Sequence, residues 1–170
     1  MPPQQGTLRY VILSAGHAAG TEVDTFGPGG QIETTCEFND HGRGPEFAAH
    51  YVLGADGVPS RTDIAGNDHL KAPVDEHFAV ENGKAHFKST SEEGSASAGG
   101  FYVSNNGSAV EAAILAAARV RAKGGPVKLY PAGEARLERL TDTTLEDHGE
   151  RSCDRICHYR IIVRTPAGLA

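Results

Sequence analysis

The sequence predicts an α+β domain in which a strongly curved antiparallel β-meander, a half-barrel, wraps around one main helix. Three observations predict it. The chain has 170 residues, enough for one domain with its own core. Its 21 glycines indicate many turns and therefore many short strands. One alanine-rich stretch interrupts this pattern. We expect a single domain over 1–170, with the meander over 8–104, the helix over 108–123 and C-terminal strands over 126–165.

Turns containing glycine, proline or asparagine divide the meander into eight predicted strands. The third strand alternates apolar and polar residues, with Ile32, Cys36 and Phe38 in one phase, which is typical of a strand with one solvated face. Asn82-Gly83, between two such runs, is the strongest hairpin signal in the chain. The predicted strands cover 8–14, 20–26, 32–39, 46–53, 58–66, 77–80, 84–90 and 100–104.

The alanine-rich stretch predicts the helix. Ser108 and Glu111 have the spacing of a capping box, and Lys123 with Gly124 is typical of a helix end. The helix presents one narrow face of small and apolar side chains: Val110, Ala113, Ile114 and Ala117. Such a face is suited to packing against a sheet and leaves room beside it for a chain-like ligand.

After the helix, a short strand is predicted over 127–130, one turn of helix over 134–140 and a last strand over 156–163. Glu146, Asp147 and Glu150 are interpreted as a solvated loop. The expected core residues are Phe38, Tyr51, Ile64, Phe78, Phe87, Tyr102, Val110, Ile114 and Leu129.

Composition and charge exclude several classes of protein. The chain has 16 basic and 22 acidic residues, which argues against nucleic-acid binding. No apolar run approaches the roughly 20 residues that a membrane span needs. The N-terminus lacks the basic start and apolar region of a signal peptide. Cys36, Cys153 and Cys157 do not form an even disulfide framework and are interpreted as thiols. No organic cofactor is expected.

Three segments carry a resemblance to a known family: 38–45 (FNDHGRGP), 66–76 (GNDHLKAPVDE) and 129–135 (LYPAGEA). Together they resemble the N-terminal region of large exported bacterial amidohydrolase-family proteins. The resemblance implies an antiparallel β-domain that precedes a metal-dependent barrel, and an exported or periplasmic location. This chain holds no such barrel, so none of the family's metal ligands is carried over to it.

The acidic residues are concentrated in 37–77. This segment has eight acidic and three basic residues and therefore carries −5 of the chain's net charge of −6. It also contains four of the chain's eight histidines. Carboxylates clustered in loops suit a hard cation such as Ca²⁺. Carboxylates with imidazoles also suit a transition metal. The alternative interpretation is a solvated acidic face.

Two similar triplets, Asn-Asp-His at 39–41 and at 67–69, end the third and fifth predicted strands. Alternate strands of a meander run in the same direction, so both triplets are expected at one rim of the sheet, about 9.6 Å apart. The side-chain type of each residue predicts its role at this rim. Asp40 and Asp68 are the candidate metal ligands for Ca²⁺, and His41 and His69 the candidate general bases.

Arg43 lies in the glycine- and proline-containing loop next to the first triplet. Its guanidinium is the candidate substrate-binding group, either for a carboxylate or for a carbonyl oxygen. The alternative is an ion pair with Asp40.

Two functions follow from these patterns. The first is a small hydrolase acting on an acyl lactone or ester, for example an acyl-homoserine lactone, with Ca²⁺ assistance. Here the rim activates water and the acyl chain lies along the sheet. The second is a non-catalytic ligand-binding or accessory domain of an amidohydrolase-type protein. In both cases the expected partner is a small acyl-bearing molecule.

Overall fold

The structure is a computed structural model that describes residues 5–121, 125–143 and 156–164. Within these residues it has twelve strands, one α-helix and one short 3-10 turn at Pro28–Gly30. The elements in chain order are β1 Gly6–Ser14, β2 His17–Phe26, β3 Gln31–Phe38, β4 Glu46–Leu53, β5 Pro59–Asn67, β6 Pro73–Glu81, β7 Lys84–Lys88, β8 Glu93–Ser97, β9 Phe101–Tyr102, α1 Ala109–Arg121, β10 Val127–Tyr130, β11 Glu134–Thr143 and β12 Ile156–Arg164.

The predicted α+β class is wrong, because the described chain is mainly β. Two segments account for the difference. The one turn of helix expected over 134–140 is instead part of β11, and the glycine- and serine-rich stretch after Glu92 contains an unpredicted strand, β8. The helix is confirmed as a single element of 13 residues. Its predicted end at Lys123 and Gly124 lies outside the described residues, as do Glu146, Asp147, Glu150 and Cys153.

The first eight strands form one antiparallel sheet in sequence order, from β1 to β8. The sheet is open and is not closed into a barrel. A second sheet has the order β12-β11-β10-β9. In it β9 pairs with β10 in parallel, so the segment expected as the eighth strand of the meander belongs to the other sheet.

Alternation of buried and exposed side chains gives the large sheet an inner face. On β6, Val74, Glu76 and Phe78 are buried while Asp75 and His77 are exposed. The helix packs over this face through side chains that are buried among those of the strands: Val110, Ile114 and Leu115. The inner face of the sheet and the helix therefore enclose the main core.

Most of the predicted core residues are buried. Those below 9% exposure are Tyr51, Ile64, Phe78, Tyr102, Val110, Ile114 and Leu129. Phe87 is half-buried and packs against a second cluster that contains Phe78 and Tyr102. Phe38 is half-buried at the end of β3 and belongs to neither cluster. In the described part of the chain, no helix is long and apolar enough to cross a membrane.

Candidate functional site

The loops that carry the two Asn-Asp-His triplets lie at the same rim of the large sheet. They follow β3 and β5, which run in the same direction. The backbone N–H of Gly44, in the first loop, donates a hydrogen bond of 3.0 Å to the carbonyl of His69 in the second. The two loops are thus in direct contact through their backbones.

Asp40 is the centre of a small polar group at this rim. Its Oδ2 accepts a hydrogen bond of 3.0 Å from the Ser14 hydroxyl, and His41 Nδ1 lies 2.5 Å from its Oδ1. The hydrogen bond from His41, and then that from Ser14, holds the pKa of Asp40 below its usual value. The His41 side chain is 97% exposed, and its backbone has a positive φ of 56°. Arg43 closes the same turn through its backbone, which exchanges hydrogen bonds with Asp40.

Asp68 has a different role in its loop. Its Oδ1 accepts the backbone N–H groups of Leu70 and Ala72 at 2.8 and 2.9 Å, which fixes the turn before β6. His69 is exposed. In the described residues, no group of three or more His, Cys, Asp or Glu side chains is arranged to hold a metal ion. The loops of Asp40 and Asp68 therefore meet, but their carboxylates are engaged separately.

The outer face of the sheet carries a row of charged side chains that the sequence reading missed. The register places these residues opposite one another on six successive strands: Glu33, His50, Asp63, His77, Lys88 and Glu93. Burial by itself raises the pKa of Asp63, but hydrogen bonds from Arg61 and His77 outweigh burial, and the pKa is lowered. The hydrogen bond between His77 and Asp63 also raises the pKa of His77. The row is solvated, and such surface pairs contribute little to stability.

Four carboxylates are buried on the inner side: Glu22, Asp24 and Glu76 on the sheet and Glu111 in the first turn of the helix. They were not predicted as a group. For three of them the alternation along the strand indicates burial. Glu22 and Asp24 are on the same face of β2 as Phe26, and Glu76 is on the same face of β6 as Val74 and Phe78. Buried carboxylates are uncommon unless they are paired or hydrogen-bonded.

Glu76 attaches the segment before the helix to the sheet. Its Oε2 accepts hydrogen bonds of 2.8 Å from the Tyr102 hydroxyl and 3.0 Å from the backbone N–H of Asn105. Its Oε1 accepts the side-chain amide of Asn106 at 3.3 Å. This carboxylate is therefore fully engaged in structure.

Glu111 is buried within the first turn of α1. Its carboxylate accepts the backbone N–H and the hydroxyl of Ser104, at 3.1 and 2.7 Å, and the Tyr51 hydroxyl at 3.5 Å. The predicted partner Ser108 instead lies beside Tyr51, with its hydroxyl oxygen at 3.2 Å from the phenolic oxygen. Burial, which outweighs these hydrogen bonds, raises the pKa of Glu111 to about 7.

Glu22 and Asp24 are adjacent on the inner face of β2. Asp24 accepts a hydrogen bond of 2.7 Å from the Thr34 hydroxyl. Glu22 Oε2 accepts the backbone N–H of Ala109, the first residue of α1, at 3.3 Å. Burial raises the pKa of both carboxyls, and for Glu22 the charge of Asp24 adds to the effect. Burial and these two carboxylates also raise the pKa of the Cys36 thiol to about 11, so this cysteine is not an activated nucleophile.

An apolar groove lies between α1 and the sheet. Its volume is about 460 Å³, within the range of small-molecule sites. The helix contributes Ala109, Val110, Ala113, Ile114 and Ala117, and the sheet side contributes Leu8, Tyr10, Phe26, Ile32, Leu53 and Gly57. Because the helix side is mostly alanine, it leaves space between the two elements. A larger hollow of about 980 Å³ is lined mainly by loop residues, which hold a ligand-shaped space less rigidly than a helix and a sheet.

The groove and the rim of the triplets lie at different ends of the strands. Gly57, which lines the groove, belongs to the turn between β4 and β5, whereas the triplets follow the opposite ends of β3 and β5. Tyr10, on β1, also lines the groove. Along β1, Tyr10 is four residues before Ser14, which contacts Asp40, and this corresponds to roughly 13 Å.

No family model, curated protein or solved structure matches this chain.

Proposed function

We propose that this chain is a non-catalytic domain that binds a small molecule with an acyl chain in the groove between α1 and the sheet. The observation that carries the proposal is the groove itself, with its apolar lining and its volume of about 460 Å³. Burial of the ligand's methylene groups supplies the affinity, about 0.8 kcal/mol for each CH₂ that leaves water.

The chemistry near the groove supports binding over catalysis. The carboxylates of Asp24, Glu76 and Glu111 accept hydrogen bonds from the protein's own groups. Tyr10, which lines the groove, lies roughly 13 Å along β1 from Ser14, the residue that contacts Asp40 at the rim, and this separates the rim from a head group held beside Tyr10. The resemblance to the N-terminal domain of exported amidohydrolase-family proteins also fits an accessory role, in which this domain presents a ligand to a catalytic partner.

Filling the groove tests the proposal. Ala113 lines the groove, whereas its neighbour Ala112 is also exposed on the helix but does not line it. The Ala113→Leu variant places a larger side chain in the groove, and Ala112→Leu is the matched control, since both changes preserve helix propensity. In a heteronuclear NMR titration with N-octanoyl homoserine lactone, the wild type and Ala112→Leu are expected to show shifts at groove residues, and Ala113→Leu is expected to show weak shifts or none.

Two outcomes contradict the proposal. One is the absence of any shift in the wild type at ligand concentrations in the millimolar range. The other is equal binding by the Ala113→Leu variant, which places the ligand elsewhere.

The second candidate is the hydrolase, favoured by the contact between the loops of the two triplets. In it, Ca²⁺ is held by Asp40 and Asp68, His41 or His69 acts as general base and Arg43 holds the substrate. Turnover of an acyl-homoserine lactone is then abolished by a chelator and reduced in both Asp40→Asn and Asp68→Asn. Turnover that is undiminished by the chelator and by both variants removes this candidate.

A further inference from the structure

The strand β1 forms an open edge of the large sheet. Within the described residues it pairs with β2 on one side and ends the strand order on the other. Its four large apolar side chains Leu8, Tyr10, Val11 and Leu13 are between 45% and 64% exposed, and its single charged residue is Arg9. Edge strands of soluble proteins are usually short, charged or covered, because their free backbone groups pair readily with another strand. With nine residues and one charge, β1 lacks these protections.

The opposite edge of the same sheet is different. β8 has five residues, begins with Glu93 and consists otherwise of glycine, serine and alanine. Such a strand offers little apolar surface to a second chain. Pairing of β1 with β8 of another copy would also join the molecules head to tail, which does not close. Pairing of β1 with β1 of a second copy, in contrast, gives a closed assembly of two chains.

We propose that two copies of this chain associate through β1, with the two strands antiparallel and Tyr10 opposite the partner's Tyr10. Tyr10 is the middle residue of Gly6–Ser14, so this register pairs all nine residues of each strand. It keeps the inner faces of the two sheets on the same side, because residues of one face lie opposite residues of the same face. The inference is independent of the proposed function.

The side chains of β1 match one another in this register. On the inner face Leu8 lies opposite the partner's Ile12, and on the outer face Arg9 lies opposite the partner's Val11. A register centred on Arg9 places two guanidinium groups opposite each other, and like charges directly across a sheet are unfavourable. A shift by two residues in either direction also leaves two residues of each strand unpaired. The register centred on Tyr10 is therefore the favoured one.

The size of this interface predicts a weak dimer. Nine paired residues in each copy are fewer than half of the about 20–30 residues that each partner of a standard interface contributes. The contact therefore belongs to the class that buries less than about 1,200 Å² in total and associates transiently. Backbone hydrogen bonds along about 30 Å of strand, together with the apolar pairs on both faces, supply the affinity. The expected dissociation constant is in the micromolar range.

Sedimentation equilibrium of the full chain, from micromolar to millimolar concentrations, measures the association. Val11→Glu and Val11→Lys test the register at one exposed position, because both changes face the partner's Arg9 and the contact occurs twice by symmetry. Val11→Glu is expected to dimerise about ten-fold more tightly than Val11→Lys. Ser95→Lys, on the exposed side of β8, is the matched control and is expected to dimerise like the wild type.

Cysteine substitutions check the register independently. Tyr10→Cys places a thiol opposite its own copy, at a Cβ separation of about 4.5–5.5 Å, close to the separation in a disulfide. Mild oxidation with copper phenanthroline is therefore expected to give a covalent dimer of Tyr10→Cys. Arg9→Cys is the control, since its thiol lies opposite the partner's Val11, and it is expected to cross-link no more than the wild type.

The outcomes decide as follows. A wild type that stays monomeric at millimolar concentration overturns the inference, as do open assemblies larger than a dimer. Equal dissociation constants for Val11→Glu and Val11→Lys, loss of the dimer in Ser95→Lys, or equal cross-linking of Tyr10→Cys and Arg9→Cys overturn it as well. Circular dichroism confirms that each variant is folded, and if a Val11 variant does not fold, the cysteine variants decide. The samples contain no ligand, so none of these results depends on the groove.

Discussion

Replacing the buried Glu111 by Gln removes the largest pKa shift among the carboxyl and imidazole groups of the described residues. Burial in the first turn of α1 raises the pKa of this carboxyl from 4.5 to about 7. The folded protein therefore binds a proton that the unfolded chain has already released over this pH range. By linkage, the contribution of Glu111 to stability is fully present below pH 4.5, falls as the pH rises from 4.5 to 7 and is lost above that.

The size of the effect follows from the shift. A change of one pKa unit corresponds to about 1.4 kcal/mol, so the shift of Glu111 corresponds to about 3 kcal/mol between pH 4.5 and 7. Glutamine has nearly the same shape and does not titrate. The difference in unfolding free energy between Glu111→Gln and the wild type is therefore expected to increase by about 3 kcal/mol in favour of the variant from pH 4.5 to pH 8.

Urea unfolding monitored by circular dichroism, at half-unit steps of pH, measures this difference. Other groups with shifted pKa values change how the unfolding free energy of each protein depends on pH. Because both proteins contain these groups, they do not affect the difference between the two. Glu22 and Asp24, with raised pKa values, also lower stability as the pH rises, whereas Asp40 and Asp63, with lowered values, increase it. Glu93→Gln is the control, since its side chain is 74% exposed. A difference curve for Glu111→Gln that is as flat as that of the control refutes the reasoning.

Two further predictions concern packing and backbone geometry. Ile114→Ala is expected to cost about 2–5 kcal/mol in urea unfolding, because Ile114 is 6% exposed and lies in the main core, and a cost near zero contradicts its placement on the buried face of the helix. Gly66→Ala is expected to destabilise by more than about 2 kcal/mol, because its φ is +153° and an added Cβ collides with the backbone of Glu46 and Phe47. Gly42→Ala, with φ +83° and open space around it, is the comparison, and an equal cost at both positions rules out the collision as the cause.

Local signals in the sequence determined much of the meander. The boundaries of β4 were predicted to the residue, and Asn82-Gly83 forms the turn between β6 and β7. Val110 and Ile114 were predicted on the buried side of the helix and are buried there. These features depend on turn chemistry and on periodicity, which act between residues close together in the chain.

Other features depended on partners distant in the sequence. The segment 134–140 contains glutamate, alanine, arginine and leucine, which favour a helix, yet it pairs with β10 and β12 as β11, so strand pairing overrides local propensity. The parallel pairing of β9 with β10, across the helix, likewise carries no local signal.

The candidate site shows the same division. The sequence identified Asp40, Asp68 and their histidines because they stand together in the chain, and the structure places them on solvated loops. Glu22 and Ala109 are 87 residues apart and meet because the helix folds back over β2. A strand's alternation determines which residues share a face, but which face is covered, and by which element, is decided when the sheet and the helix bury their apolar surfaces together.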